Sequence, residues 1–546
     1  MKKIYFLVLF STISGFSQIA QVKDIYTGVT IPGAALPAVI NSGNPTNLID
    51  FNGTLIFRAN NGTNGIELWK SDGSAAGTAM IADINTVSTT PNSNPSNLTL
   101  FQNKVFFNAQ GGDVAPATGQ ELYSSSGTAI GTAIVTDLNP GIANGNPFNL
   151  VVLNPTTMLF AGNNGTSGSE LFKTDGTATG TVNVFDAPGT TNSPSWIANL
   201  NGTAIIGYTV TGGTGRELYK STGAVGNCDL ILDINPGTAS GVGTISYTAL
   251  GNVFFTANSG TTGTELWKTN GTTAGTSLVK DINVGTGSSS VGDFATLGSN
   301  VYFVATNGMS GNELWKSDGT ATGTIEVLDI NVGATGSNPS KLTTIGSKIF
   351  YFAADSAAGT DLYVYDGTTN LKLLDLNATT TSAYNTNFVA IGSLIYFSVD
   401  SNDVDTKREL WQTDGTAIGT VPVAPLSALN QNAVDINNIT LSNGKLFFAA
   451  EVADGTELFS YTPLSLSSNN FELSNLNIYP NPTSGIINIA NDLGLSISYK
   501  FYDVLGKNIS NGKIGNNQLE INVDKGIYFL ELTSESGTIT KKIIKN

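Results

Sequence analysis

A glutamate recurs along this 546-residue chain at Glu67, Glu121, Glu170, Glu217, Glu265, Glu313, Glu409 and Glu457, each time followed by leucine and an aromatic residue. Asp361-Leu362-Tyr363 is a ninth, variant copy. Carboxylates are the groups this sequence offers for chemistry, because it contains no histidine. Serine and cysteine triads, imidazole bases and ordinary zinc sites are removed together. Two carboxylates suffice to hydrolyse a glycosidic bond, so the enzymatic reading is a carboxylate-only polysaccharide hydrolase or lyase. A catalytic pair is needed once, however, and a residue present in every copy is more economically structural. The expectation is that Glu313 and its equivalents accept backbone or lysine hydrogen bonds and that the chain has no catalytic residues.

A second set of oxygen donors recurs as Asp233-x-Asn235-x-Gly237, Asp281-x-Asn283-x-Gly285 and Asp329-x-Asn331-x-Gly333. This is the opening spacing of loops that wrap calcium. None is followed by the bidentate acid that completes such a loop, and a turn capped by its own Asp side chain accounts for the same residues. No cofactor is expected, with calcium at these loops as the alternative.

The elements that carry these residues follow from their spacing. Successive copies are separated by 54, 49 and 47 residues and then by 48 five times over, the period of a propeller or another stacked β array. In the unit from Asn338 to Thr381, residues 340–345, 348–353, 361–365 and 371–376 read as four short strands joined by Gly, Asn and Asp turns. The second strand is almost continuously apolar, as in Val301-Tyr302-Phe303, and is expected to be buried on both faces.

In the third strand, alternation puts Glu313 and Trp315 on one face and Leu314 and Lys316 on the other. Both faces then need a neighbour, as in radially stacked sheets. Glu67, Leu68, Trp69, Glu265, Leu266, Trp267, Glu313, Leu314, Trp315, Glu409, Leu410 and Trp411 are thereby read as repeat core. The following Asp-Gly-Thr-x-x-Gly-Thr segment is a turn between strands three and four.

Val22-Lys23-Asp24-Ile25 matches Val279-Lys280-Asp281-Ile282, a fourth strand without its first three, while the unit ending at Glu457-Leu458-Phe459 lacks a fourth. The ends complement each other. The expected fold is therefore all-β, a closed propeller of about nine four-stranded blades, or eight with one divergent unit, closed by its N-terminal strand. Arg58, Arg216 and Arg408, the only arginines, do not fall on the inner strand where sialidase-like propellers hold an arginine triad.

Composition fits an exported protein. Met1-Lys2-Lys3 and the apolar run after it read as a signal peptide, residues 1–17, cleaved before Gln18. Cys228 is the only cysteine, so no disulfide forms within the chain. A net charge of −16 argues against nucleic acid and other polyanions as partners, and no later stretch is long enough for a transmembrane segment.

The period runs through residues 18–463 and gives way to a Ser/Asn linker at 464–473. Residues 474–546 contain Asn477-Ile478-Tyr479-Pro480-Asn481-Pro482-Thr483-Ser484-Gly485, then Phe501-Tyr502-Asp503-Val504-Leu505-Gly506-Lys507, Lys525-Gly526-Ile527-Tyr528 and a terminal Lys541-Lys542-Ile543-Ile544. Alternating strands and glycine turns read as a small β-sandwich. These signatures resemble the type A C-terminal sorting domain of the type IX secretion system of Bacteroidetes. The resemblance implies passage through the periplasm, engagement of that machinery and a secreted or surface-attached product.

The repeats resemble the ELWxxDGT-repeat proteins, some described as hyalin-like, a family that implies no established chemistry. The functional expectation is a non-catalytic binding or adhesion module for glycan or protein, contacting its ligand through the loops that break the period, Gly111 to Thr118 and Asn402 to Lys407. A structural matrix or gliding-surface component is the further alternative.

Overall fold

The computed structural model describes residues 19–30, 39–86, 92–112, 118–187, 189, 192–210, 213, 215–355, 359–376, 387–400, 408–423, 435–452, 455–463, 477–490, 497–503, 507–514, 517–534 and 537–546. The signal-peptide segment, the linker, residues 113–117 and the loop Asn402 to Lys407 lie outside them. Two compact units emerge, one spanning Ile19–Tyr461 and one formed by the C-terminal residues.

Among the described residues, the first unit has nine four-stranded antiparallel sheets in chain order, together with a two-stranded pair, Val29–Thr30 with Val39–Ile40. The sixth sheet is representative, with strands Gly292–Leu297, Asn300–Thr306, Asn312–Ser317 and Ile325–Leu328. The strands of the sample unit lie at Ser340–Ile345, Lys348–Ala354, Thr360–Tyr365 and Asn370–Leu374. Second strands are the most deeply buried elements: Phe57, Phe107, Phe160, Phe255, Phe303, Phe352, Phe397 and Phe448 are all 0% exposed.

Each sheet shares one core with the sheet before it and another with the sheet after it. Trp315 packs with Phe254, Leu266, Val279 and Val291 of the fifth sheet and the segment that leaves it. Its neighbour Leu314 packs with Leu342, Ile349, Tyr351 and Tyr363 of the seventh. Strand alternation thus sends adjacent residues into different layers.

First strands carry an irregularity that the sequence pattern hides. Register slips by one residue between Thr46 and Ile49 against Arg58 and Ile56, and the same slip recurs at Ser96/Thr99, Gly292/Ala295 and Ser340/Thr343. The bulged residue takes positive φ at Asn47, Asn97, Asn149, Asp293, Lys341 and Asn438, which asparagine tolerates better than most side chains.

The ninth sheet is completed from the other end of the sequence. Ile19–Lys23 pairs antiparallel with Gly455–Tyr461, matching Ile19 to Tyr461 and Gln21 to Phe459. The ninth sheet also meets the first: Val22, Ile25, Phe447 and Leu458 share a core with Leu55, Phe57 and Trp69. Thr440 Oγ1 of the ninth sheet donates to the Leu48 carbonyl at 3.5 Å, and Ser442 Oγ donates to Asp50 Oδ1 at 2.5 Å.

The second unit has a three-stranded sheet, Asn477–Tyr479, Ile486–Ala490 and Gln518–Glu520, and a four-stranded one, Asn508–Lys513, Ser498–Asp503, Gly526–Ser534 and Gly537–Lys545. Ile487, Ile489, Phe501, Leu530, Leu532 and Ile543 form the core between them.

Candidate functional site

The repeated carboxylates sit at the start of the third strand, beside the segment leaving the fourth. Glu67, Glu121, Glu170, Glu217, Glu265, Glu313 and Glu457 are 0% exposed and Asp361 is 1% exposed. Glu409 is half-buried. Leu68, Leu266, Leu314, Leu410, Trp69 and Trp315 are buried, whereas Trp267 and Trp411 keep partial exposure.

Burying an acid requires donors, and they come from the backbone at fixed offsets. Glu121 accepts from Leu138 N at 2.8 Å and Gly145 N at 2.6 Å; Glu217 accepts from Ile234 N at 2.7 Å and Gly241 N at 2.6 Å. Glu313 accepts from Ile330 N at 3.3 Å and from the amide and hydroxyl of Ser337. These carboxylates therefore clamp the connection that leads to the next sheet.

At Glu457 the same two donors are Ile25 N at 2.8 Å and Gly43 N at 2.7 Å, from the opposite end of the sequence. Glu170 instead accepts from Ala187 N at 3.1 Å, Asn192 Nδ2 at 3.1 Å and the hydroxyl of Tyr208 in the following sheet at 2.5 Å.

Asp361 is the exception that shows the rule. Its shorter side chain accepts from Leu376 N at 3.0 Å and from Lys372 Nζ at 3.1 Å, and Lys372 also reaches Asp355 Oδ2 at 2.9 Å.

Burial pushes seven of these acids above the ordinary carboxylate range despite their donors. Glu67, Glu217 and Glu457 rise to about 7 and Glu121 to about 8, chiefly by desolvation, with a neighbouring aspartate adding to the rise. Glu265, Glu313 and Asp361 shift the same way for the same first cause. The folded state thus holds protons that the unfolded chain releases near pH 4.5. Stability from these groups is fully present below that pH and is lost as pH rises through about 7 to 8. Each tenfold difference in proton affinity between the two states is worth about 1.4 kcal/mol. Denaturant midpoints are expected to fall from pH 5 to pH 9; midpoints that climb with pH would contradict this protonation.

The Asp-Gly-Thr turn is a second lattice of the same kind. Thr320 N and Oγ1 donate to Asp318 Oδ1 at 2.8 and 2.7 Å, Gly319 N donates to Ser317 Oγ at 2.9 Å, and Gly323 N donates to Thr320 Oγ1 at 3.0 Å. The Thr320 hydroxyl holds the Asp318 carboxyl below its usual range. A side chain at Gly323 would meet the Asp318 carboxylate at 2.1 Å, so the second glycine is required by that aspartate. In the fourth sheet, where the motif has decayed, Asn227 Oδ1 takes over the aspartate's role by accepting from Thr222 N at 2.7 Å. Cys228 beside it is buried against Tyr208 and Tyr219, and burial pushes its thiol up to about 12.

The Asp-x-Asn loops are turns of this sort too. Asp281 Oδ2 accepts from Gly285 N at 3.2 Å, while the side-chain amides of Asn283 and Asn331 donate to the carbonyls of Ser288 and Gly336, both at 3.0 Å. Among the described residues, Oδ1 of Asp233, Asp281 and Asp329 is buried and has no hydrogen-bond partner. Asn235 and Asn283 aim their carbonyl oxygens at the glycines of the next sheet's hairpin, Gly260 and Gly308. Donors of this kind could hold a cation, although no group of three acidic, cysteine or histidine side chains converges among the described residues.

The arginines stay apart. Arg58 Nε donates to Thr46 Oγ1 at 2.7 Å, Arg216 Nε to the Val242 carbonyl at 2.7 Å, and Arg408 pairs with Asp435 through two 2.6 Å contacts.

In the C-terminal unit the two terminal signatures meet. Asn481 Nδ2 donates to the Lys542 carbonyl at 2.7 Å and its Oδ1 accepts from Ile544 N at 2.8 Å. Thr483 N donates to the Ile544 carbonyl at 2.8 Å. The Pro-Asn-Pro-Thr segment therefore clasps the final strand.

Residues 477–546 match the family model of the secretion system C-terminal sorting domain. The C-terminal unit is a type IX sorting domain. It marks the chain for export to the outer surface by the type IX machinery. No helix among the described residues is long and apolar enough to cross a membrane. No curated relative matches the sequence.

Among solved structures, the chain is similar to a prolyl endopeptidase at 11% identity and TM-score 0.37, covering 66% of this chain and 55% of that one. It therefore spans little more than half of that protein. It is similar to PorZ, an essential surface component of the type IX secretion system of Porphyromonas gingivalis, at 10% identity and TM-score 0.24, covering 92% and 82%. The β-propeller domain of the Trilobed protease from Pyrococcus furiosus matches at 9% identity and TM-score 0.34, covering 70% and 99%.

Proposed function

We propose that the first unit is a closed nine-bladed propeller of ELWxxDGT repeats, acting at the outer cell surface as a non-catalytic binding or adhesion module for a glycan or a protein. Closure is supported by the core that Val22 and Leu458 share with Phe57 and Trp69. The observation that carries the non-catalytic reading is the use to which the repeated acids are put. Glu121, Glu217 and Glu457 each direct one oxygen to one backbone amide and the other to a second. A glycosidase pair must instead flank open space for substrate.

Binding then falls to rims and loops, where surface residues are free of packing duties. The segments 111–118 and 402–407 depart from the repeat and are the proposed contacts. An array of glycans and surface proteins probed with the mature repeat unit tests this. Binding that disappears when both segments are cut to the consensus turn supports the assignment, and binding that survives places the ligand elsewhere. Release of reducing ends from a polysaccharide panel would favour the hydrolase reading.

The Asp-x-Asn loops are proposed to work as capped turns without a bound ion. Excess calcium is expected to leave the unfolding midpoint unchanged and to give no binding heat in calorimetry. A calcium-dependent rise in the midpoint would turn the buried aspartate oxygens into ligands.

A further inference from the structure

Asparagine followed by glycine is a place where a chain can attack itself. The glycine nitrogen adds to the side-chain amide carbon, ammonia leaves, and water opens the five-membered imide to aspartate or isoaspartate. Glycine permits the approach because it has no Cβ. The chain contains ten such pairs, and most are restrained in one of two ways.

In the first, the attacking N–H is already donated. Gly62 N donates to Asn60 Oδ1 at 2.8 Å, Gly165 N to Asn163 Oδ1 at 2.6 Å, Gly202 N to Asn199 Oδ1 at 2.8 Å and Gly145 N to Glu121 Oε1 at 2.6 Å. Threonine hydroxyls at positions 269 and 306 accept from Gly271 N and Gly308 N, both at 3.0 Å. In the second, the side-chain amide is pinned: Asn64 Nδ2 donates to Asp83 Oδ2 and Asn52 Nδ2 to Asn103 Oδ1, both at 2.6 Å. A ninth pair, Asn511-Gly512, lies within a paired strand.

Asn443-Gly444 has neither restraint among the described residues. It forms the two-residue turn between Ile436–Ser442 and Lys445–Val452, with φ of 48° and 74°. Both residues are exposed, and the space beside Gly444 is open. The turn also lies on the contact between the ninth and first sheets. A Cβ on Gly53 would stand 3.7 Å from Asn443 Cβ, and the preceding Ser442 bonds to Asp50 across the same boundary.

We infer that Asn443-Gly444 is a self-modification site, at which loss of ammonia and addition of water install a carboxylate on the ninth-to-first boundary. The product adds negative charge near Asp50. In its isoaspartyl form it also lengthens the main chain within a turn of two residues. The hydrogen bonds that build the repeat's other turns double as protection for their amides, and this turn ages first.

The test is peptide mapping of the folded full chain held in mildly alkaline buffer. Amide-to-acid conversion at Asn443 should run about tenfold faster than at the hydrogen-bonded pairs, since each must first give up a bond. Isoaspartate should be among the products. In denaturant the rates should converge. G444A should suppress conversion at Asn443, and T269V, which frees Gly271 N, should raise it at Asn270. Equal rates across the folded sites, or conversion at the restrained pairs before Asn443, overturns the inference.

Discussion

Replacing Glu457 with alanine costs the repeat unit about 2–6 kcal/mol, because two buried backbone N–H groups lose their acceptor at about 1–3 kcal/mol each. Those groups belong to Ile25 and Gly43, so the damage falls on the N-terminal strand. Limited proteolysis should cut the variant first between residues 19 and 45. Glu313→Ala removes a carboxylate with the same kind of partners inside the chain and should lose comparable stability while keeping the N-terminal strand protected. Glu457→Gln keeps one acceptor and should fall between wild type and alanine. An E457A protein that unfolds like wild type, or an E313A protein that releases its N-terminus equally well, would show that the clamp does not hold the junction.

The second large effect is expected at neighbouring residues that serve different layers. Leu314→Ala should cost about 2–5 kcal/mol and Trp315→Ala about 3–5 kcal/mol, the usual range for emptying a packed site of that size. Their signatures in hydrogen exchange should diverge. Loss of Trp315 should loosen the fifth sheet around Val279 and Val291, and loss of Leu314 should loosen the seventh around Ile349 and Tyr351. The two side chains fall in different cores but are neighbours on one strand, so the double variant measures how strongly the two layers couple. Protection lost on one side only for both variants would mean that the pair faces a single layer.

Much of this arrangement was legible in residue spacing. Adjacent apolar residues in a short strand demand partners on both faces, and Leu314 and Trp315 have them. The fragment Val22-Lys23-Asp24-Ile25 betrayed a fourth strand displaced to the front of the chain. Backbone or lysine donors were expected for the carboxylates, but spacing could not convey which ones. Most of their partners are backbone amides, which look alike in any sequence, and only the fixed offset from Glu217 to Ile234 and Gly241, repeated elsewhere, could have hinted at them. The bulges at Asn47, Asn97 and Asn149 were equally hidden, since a half-polar first strand gives no sign of a slipped register.

A strand whose mates lie more than four hundred residues downstream imposes an order of events. Ile19–Lys23 has nothing to pair with until the last repeat exists, and contacts of such long range form slowly. Until that pairing forms, the final repeat presents a bare edge, open to any other extended chain. Completion of this body is therefore timed by delivery of its far end, and a chain cut short in its last repeat would be left permanently adhesive.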